Sequence, residues 1–175
     1  MLELVPLSLR DTSSLIDKAY VKLRYIEHDS VVNGSGVRDV LWVQGCKHYC
    51  IGCHNPETWP FTGQKHYFRD IIDKLSPFKS VTWSGGDPVY QSYGVHVINS
   101  ELKKLGYNIW LYTGFTWEYL IKFEPLILVN IDVLVDGKFE ISKKTMDLPF
   151  VGSSNQRIID VKKSLKSSSI SILTL

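Results

Sequence analysis

Residues 39–59 read DVLWVQGCKHYCIGCHNPETW. The opening DVLWV is a short apolar run with β-branched and aromatic members, which predicts a buried strand. Directly beyond it Cys46, Cys50 and Cys53 stand in a C-x3-C-x2-C spacing. A loop of that length, leaving a strand end, can curl around one compact metal site. Three thiolates leave a tetrahedral zinc ion one ligand short, a place that His48 or His54 can fill; an iron–sulfur cubane held by three thiolates keeps one iron free. The spacing alone admits both. The chain has 3 cysteines in all. An odd number crowded into so short a stretch speaks against a secreted disulfide framework and for metal ligation.

Outward from this loop, further strands are expected at Tyr20–Glu27, Ser80–Trp83, Asn108–Tyr112 and Val133–Val135, with the strand before the loop spanning Asp39–Val43. Apolar residues at Phe68, Ile71, Ile72 and Leu75 predict a helix over residues 66–75. A second is expected from Tyr93 to Leu105, stopped by Gly106, and a third from Thr116 to Phe123, capped by Thr116 with Pro125 just beyond its end. Alternating strands and helices predict an α/β domain with a largely parallel sheet. A complete eight-unit barrel takes ~250 residues, so 175 residues suit an open, partial β/α barrel. The whole chain, 1–175, is expected as one domain, with residues 162–175 a solvated Lys/Ser-rich tail.

In open α/β sheets the chemistry gathers where strands end. Ser84-Gly85-Gly86-Asp87-Pro88 follows the strand KSVTW, and its paired glycines either form a tight turn or bare the backbone to a ligand. Thr113-Gly114 ends the next strand in the same way. Asp132, Asp136 and Lys138 in IDVLVDGKFE are candidates for cofactor contacts or for lining the barrel mouth, with Asp136-Gly137 read as a turn. Asn33, Gly34 and Gly36 suit a hairpin connection between strands. For Arg38 and Arg157 the default is a structural salt bridge, and Trp59 is expected to pack on the cysteine loop.

Composition narrows the function. With 20 Lys+Arg against 18 Asp+Glu, the net charge is +2, without the basic excess that broad nucleic-acid binding requires. No stretch approaches the ~18 consecutive apolar residues of a membrane span, and the first residues lack the pattern of a signal peptide. A cytoplasmic protein that binds neither nucleic acid nor membrane is expected.

The motifs together resemble the radical S-adenosylmethionine superfamily. Within it, YVKLRYIEHDSVVNGSGVRDVLWVQGC, CIGCHNPETW, SGGDP, IDVLVDGKFE and GSSNQRIIDV, spanning about Tyr20 to Val161, are similar to the activating enzymes of anaerobic ribonucleoside-triphosphate reductases. The resemblance implies that Cys46, Cys50 and Cys53 bind one [4Fe–4S] cluster whose open iron is chelated by S-adenosylmethionine. It implies that Gly85, Gly86 and Asp87 receive the methionyl amino group, Thr113 the ribose or carboxylate, and Gly52, Cys53 and His54 the adenine. Members of the superfamily often carry an aromatic before the third cysteine. Here Gly52 stands there, which puts base recognition on the main chain with Tyr49 or His54 nearby. The resemblance places loop 31–39 near the active-site mouth, with Arg38 meeting a carboxylate or a backbone carbonyl. The implied reaction is reductive cleavage of S-adenosylmethionine to a 5′-deoxyadenosyl radical that takes hydrogen from a glycine of the partner reductase, with a reducing donor such as flavodoxin. The competing readings are a different glycyl-radical activase, a small-molecule enzyme of the same superfamily, and a non-enzymatic zinc-binding adaptor.

Overall fold

A computed structural model describes residues 16–167 and 169–174. It contains β1 (Tyr20–Ser30), β2 (Arg38–Val43), β3 (Gln64–Tyr67), β4 (Ser80–Gly85), β5 (Asn108–Tyr112), β6 (Val133–Asp136) and β7 (Arg157–Asp160). They form one mixed seven-stranded sheet in the order β3-β1-β2-β4-β5-β6-β7. The helices are α1 (Phe68–Ile72), α2 (Ser92–Lys104), α3 (Trp117–Phe123), α4 (Pro125–Val129) and α5 (Val161–Lys166). Among the described residues no helix is long and apolar enough to cross a membrane.

The expectation of a largely parallel sheet holds for its centre. β2, β4, β5 and β6 run parallel, whereas β1 is antiparallel to β2 and β3, and β7 is antiparallel to β6. Residues 31–37 are too few for the crossover that a parallel neighbour needs, so β1 and β2 pair as a hairpin. Side chains alternate across the strands. Ile109 and Leu111 of β5 join Val81, Trp83, Leu41 and Leu134 under Val95, Ile98 and Leu102 of α2. Trp110 and Tyr112 point to the other face, among Val135, Phe150, Val151 and Leu173.

Two sequence expectations need correction, those for residues 66–75 and for the Lys/Ser-rich end. The helix expected over residues 66–75 is confined to α1, because His66 and Tyr67 pair with Val21 and Tyr20 as an edge strand. Pro125 lies just beyond the end of α3, as expected, and opens α4, where its missing N–H costs nothing. The Lys/Ser-rich end is tied to the sheet. Asp160 caps α5 by accepting from Lys163 N, Lys162 pairs with Asp132 at 2.9 Å, and Leu173 N donates to Ile158 O at 2.7 Å.

Candidate metal and cofactor site

The parallel strands β2, β4, β5 and β6 end on the same edge of the sheet, and the chain leaving each end lines one cavity of about 680 Å³. β2 delivers Cys46, His48, Cys50, Cys53 and His54; β4 delivers Gly85, Gly86 and Asp87; β5 delivers Thr113 and Gly114; β6 delivers Gly137 and Phe139. The position and volume suit a bound small molecule. Cys46, Cys50, Cys53, His54, Gly85, Gly86, Asp87 and Thr113 all border this cavity; Gly52 lies between two of them, and Asp132, Asp136 and Lys138 do not line it.

The root of the cysteine loop is held by backbone bonds. Gly45 N donates to Thr58 O at 2.7 Å and Cys46 N to Trp59 O at 3.0 Å, while Gly86 N donates to Val43 O and Asp87 N to Gly45 O. The glycines of SGGDP are explained here. Gly85 has φ +98, and a Cβ on Gly86 would stand 2.5 Å from the Gly45 carbonyl oxygen, so the end of β4 meets the loop root main chain to main chain. Trp59 packs edge-on against Tyr49 at 5.2 Å between ring centroids, as expected of a residue covering the loop.

The thiols themselves test the fit to a metal group. All three are free. Sulfur accepts from the backbone at Cys46, from His48 N, and at Cys53, from Asn55 N, each at 3.4 Å. Burial pushes the Cys46 thiol up to about 11 and the Cys50 thiol upward as well. Three thiolates, one buried and two half-buried, need a cation to hold their charge. Amide donors already aimed at two sulfurs are the surroundings that such thiolates take up. Among the described residues no three His, Cys, Asp or Glu side chains are grouped to hold a single ion. Three free thiols, two of them met by backbone N–H donors, fit a thiolate-bound cluster, and His48, one of the two candidate zinc ligands, is already engaged.

That engagement organises the site. His48 Nε2 lies 2.6 Å from Asp87 Oδ2, with side-chain exposures of 7% and 1%. A carboxylate only accepts, so Nε2 carries the proton. Asp87 also accepts from Val89 N at 2.9 Å, from the Thr113 hydroxyl and from Gly114 N at 2.9 Å. Four donors meet the roughly four lone-pair sites of a carboxylate. Thr113 Oγ1 in turn accepts from Phe115 N.

Other nominated residues fall in varied places. Gly52 (φ +73) lies beneath Ile141, whose Cδ1 would stand 2.8 Å from a Cβ there; the His54 ring rests on Phe139, 4.9 Å between centroids. Arg38 is 1% exposed, and its salt-bridge expectation fails: it donates to Thr82 Oγ1, Asn108 Oδ1 and the carbonyls of Ser35, Val81 and Asn108. The backbone carbonyls expected of it are thus met. Burial lowers its pKa to about 10. Arg157 does form the structural ion pairs expected, with Asp136 and Glu118. Asp136 also accepts from Trp117 N, so it is a structural carboxylate. Asp132 sits at the far end of β6, paired with Lys103 and Lys162, away from the cavity mouth. Val31, Val32 and Asn33 border the cavity as well as connecting β1 to β2.

Sequence reasoning missed the segment 145–152, which brings Met146, Leu148 and Phe150 to the cavity; no motif marks it. It also missed the inward role of His48, for which the signal was its place between two cysteines.

The model of the 4Fe-4S single cluster domain matches residues 32–159, the span that contains the cysteine loop and all four strand ends. The chain is 35% identical over 142 residues to the anaerobic ribonucleoside-triphosphate reductase-activating protein of Vibrio cholerae, covering 73% of this chain and 90% of that protein. It is 35% identical over 139 residues to the protein of that name from Escherichia coli K12, covering 72% and 90%. It is 34% identical over 137 residues to that of Enterobacteria phage T4, covering 73% and 86%. The chain belongs to this family of anaerobic ribonucleoside-triphosphate reductase-activating proteins.

Proposed function

We propose that this protein activates an anaerobic ribonucleoside-triphosphate reductase by radical S-adenosylmethionine chemistry in the cytoplasm, creating a glycyl radical on the reductase. The observation that carries the reading is the meeting of three free thiols with the glycine-lined ends of β4 and β5 in one cavity. The relatives' name supplies the partner. The sheet is read as the open β/α barrel of that superfamily.

Cys46, Cys50 and Cys53 would hold a [4Fe–4S] cluster, which, with an electron from a donor such as flavodoxin, would supply the reductive cleavage of S-adenosylmethionine to methionine and the 5′-deoxyadenosyl radical needed to take hydrogen from a glycine Cα of the reductase. The chain's own contribution is placement and dryness. Gly85 and Gly86 bare the main chain toward the methionyl end. Asp87 and Thr113, their side chains bonded to one another, hold that main chain from behind. Gly52, Cys53 and His54 offer backbone and imidazole to the adenine, and Trp59 and Phe139 keep water from the loop. No side chain needs to move a proton.

The test is anaerobic reconstitution with iron and sulfide, reduction in the presence of S-adenosylmethionine, and assay for 5′-deoxyadenosine and methionine. Both products are expected, with a glycyl-radical signal when the reductase is added. A protein that holds one zinc per chain and never cleaves the cofactor would overturn the reading.

A further inference from the structure

His48 has no ligand role in the reading above, yet it is the best-anchored side chain of the cysteine loop. Its ring lies edge-on to Phe115, 4.6 Å between centroids, and beside Tyr90 at 5.7 Å. Gly114 makes room for it: a Cβ there would stand 2.6 Å from His48 Cδ2. Its Nε2–H donates to Asp87, the carboxylate that gathers Val89 N from the start of the segment after β4 and Thr113 Oγ1 and Gly114 N from the end of β5. One imidazole thus joins three of the four strand-end segments that line the cavity. The backbone N–H of the same residue donates to Cys46 Sγ.

We propose that His48 is a positioning residue: through Asp87 it clamps the cysteine loop to the ends of β4 and β5, so that the thiols are set relative to the S-adenosylmethionine pocket before either cofactor arrives. Three features point beyond ordinary core packing. The bond is charge-assisted and almost fully buried, which makes it strong and directional. The neighbouring glycine is required by the ring's position. The bond spans 39 residues, so it couples the cluster-binding segment to the cofactor-binding segment and serves neither alone. With its carboxylate filled from within, Asp87 acts on the site through His48 and the Gly114 backbone.

The inference rests on the proposed function for its consequence, but its geometry is testable without any cofactor. In the metal-free protein, hydrogen exchange of residues 46–54 is measured by mass spectrometry for wild type, His48→Phe and His48→Gln. Losing a hydrogen bond to a buried charge should speed exchange of this segment roughly tenfold to a hundredfold in His48→Phe. His48→Gln, which retains an N–H donor, should recover part of the protection. After reconstitution, the electron paramagnetic resonance spectrum of the reduced protein is recorded with and without S-adenosylmethionine. In His48→Phe the change induced by S-adenosylmethionine should be broadened or lost at equal iron content, and restored in His48→Gln. Unchanged exchange overturns the clamp. Faster exchange with an unaltered spectrum reduces His48 to a structural residue and overturns the positioning role. Should His48→Phe not fold, Gly114→Ala, whose Cβ would collide with the ring, must loosen the same segment, and protection equal to wild type would refute the proposal. A wild-type protein that assembles no cluster would sink the functional reading while leaving the exchange result to decide the clamp.

Discussion

Gly86 and Gly45 touch backbone to backbone: Asp87 N donates to the Gly45 carbonyl at 2.9 Å, and no Cβ fits between them. The relationship welds the end of β4 to the root of the cysteine loop, and it yields a contrast between two glycines. Gly86→Ala forces main chain against main chain, at a cost of about 1–3 kcal/mol, and should lower iron retention and cofactor cleavage at least tenfold. Gly106→Ala meets nothing within 4 Å but must keep φ +84. It should cost about 1–2 kcal/mol and leave the iron content of the folded protein unchanged. Thermal melts paired with iron analysis separate the two.

Cys46→Ala, Cys50→Ala and Cys53→Ala should each abolish cluster assembly and cofactor cleavage, while the metal-free proteins keep the melting temperature of metal-free wild type to within a few degrees. Full activity in any one of the three would remove that residue from the ligand set.

The Glu118–Arg157 pair makes a modest, acid-labile contribution. The Arg157 guanidinium, bonded through two nitrogens to the carboxylate, holds Glu118 down to about 2. A carboxyl whose folded pKa lies below its unfolded one, near 4.3, stabilises fully above the unfolded value and loses that stabilisation as pH falls toward the folded one. Glu118 is 59% exposed, so water screens the pair to under about 1 kcal/mol. Glu118→Gln should melt a few degrees below wild type at pH 6–7, and the gap should narrow steadily from about pH 5 down to about pH 2. A gap as wide at pH 2 as at pH 7 would show that the lost stability is not this charge.

Arg38→Lys is a conservative change in charge alone. The guanidinium satisfies three carbonyls and two side-chain oxygens while lying 5.3 Å over the Trp110 ring, and one ammonium cannot reach them all. The expected loss is about 2–3 kcal/mol from acceptors left unpaired, roughly 5–10 °C in melting temperature for a chain of this size. Calorimetry on the metal-free protein checks it, and a shift below 2 °C would contradict the assignment.

Much of this was legible in the chain. The strands of the central sheet are runs of β-branched and aromatic residues, and Thr116 and Gly106 mark helix ends by local chemistry, so both were read in place. The edges were not. Gln64–Tyr67 is a polar run with no strand signature of its own; it is extended because β1 offers it a ladder from Tyr20 to Leu23. Arg157–Asp160 closes the opposite edge on β6, again by pairing with residues more than twenty positions away. Edge strands are fixed by their partners, and partners are not visible to local periodicity.

The site divides in the same way. By itself the sequence determined the three thiols, the glycines at the strand ends and the near-neutral charge, because spacing within a loop and freedom at a glycine are local properties. Only the tertiary structure decided that Arg38 serves carbonyls in place of a carboxylate, that Asp132 lies at the far end from the cavity, and that His48 belongs to Asp87. Each of those outcomes depends on which groups the packed sheet brings within about 3 Å, the short range over which a hydrogen bond forms.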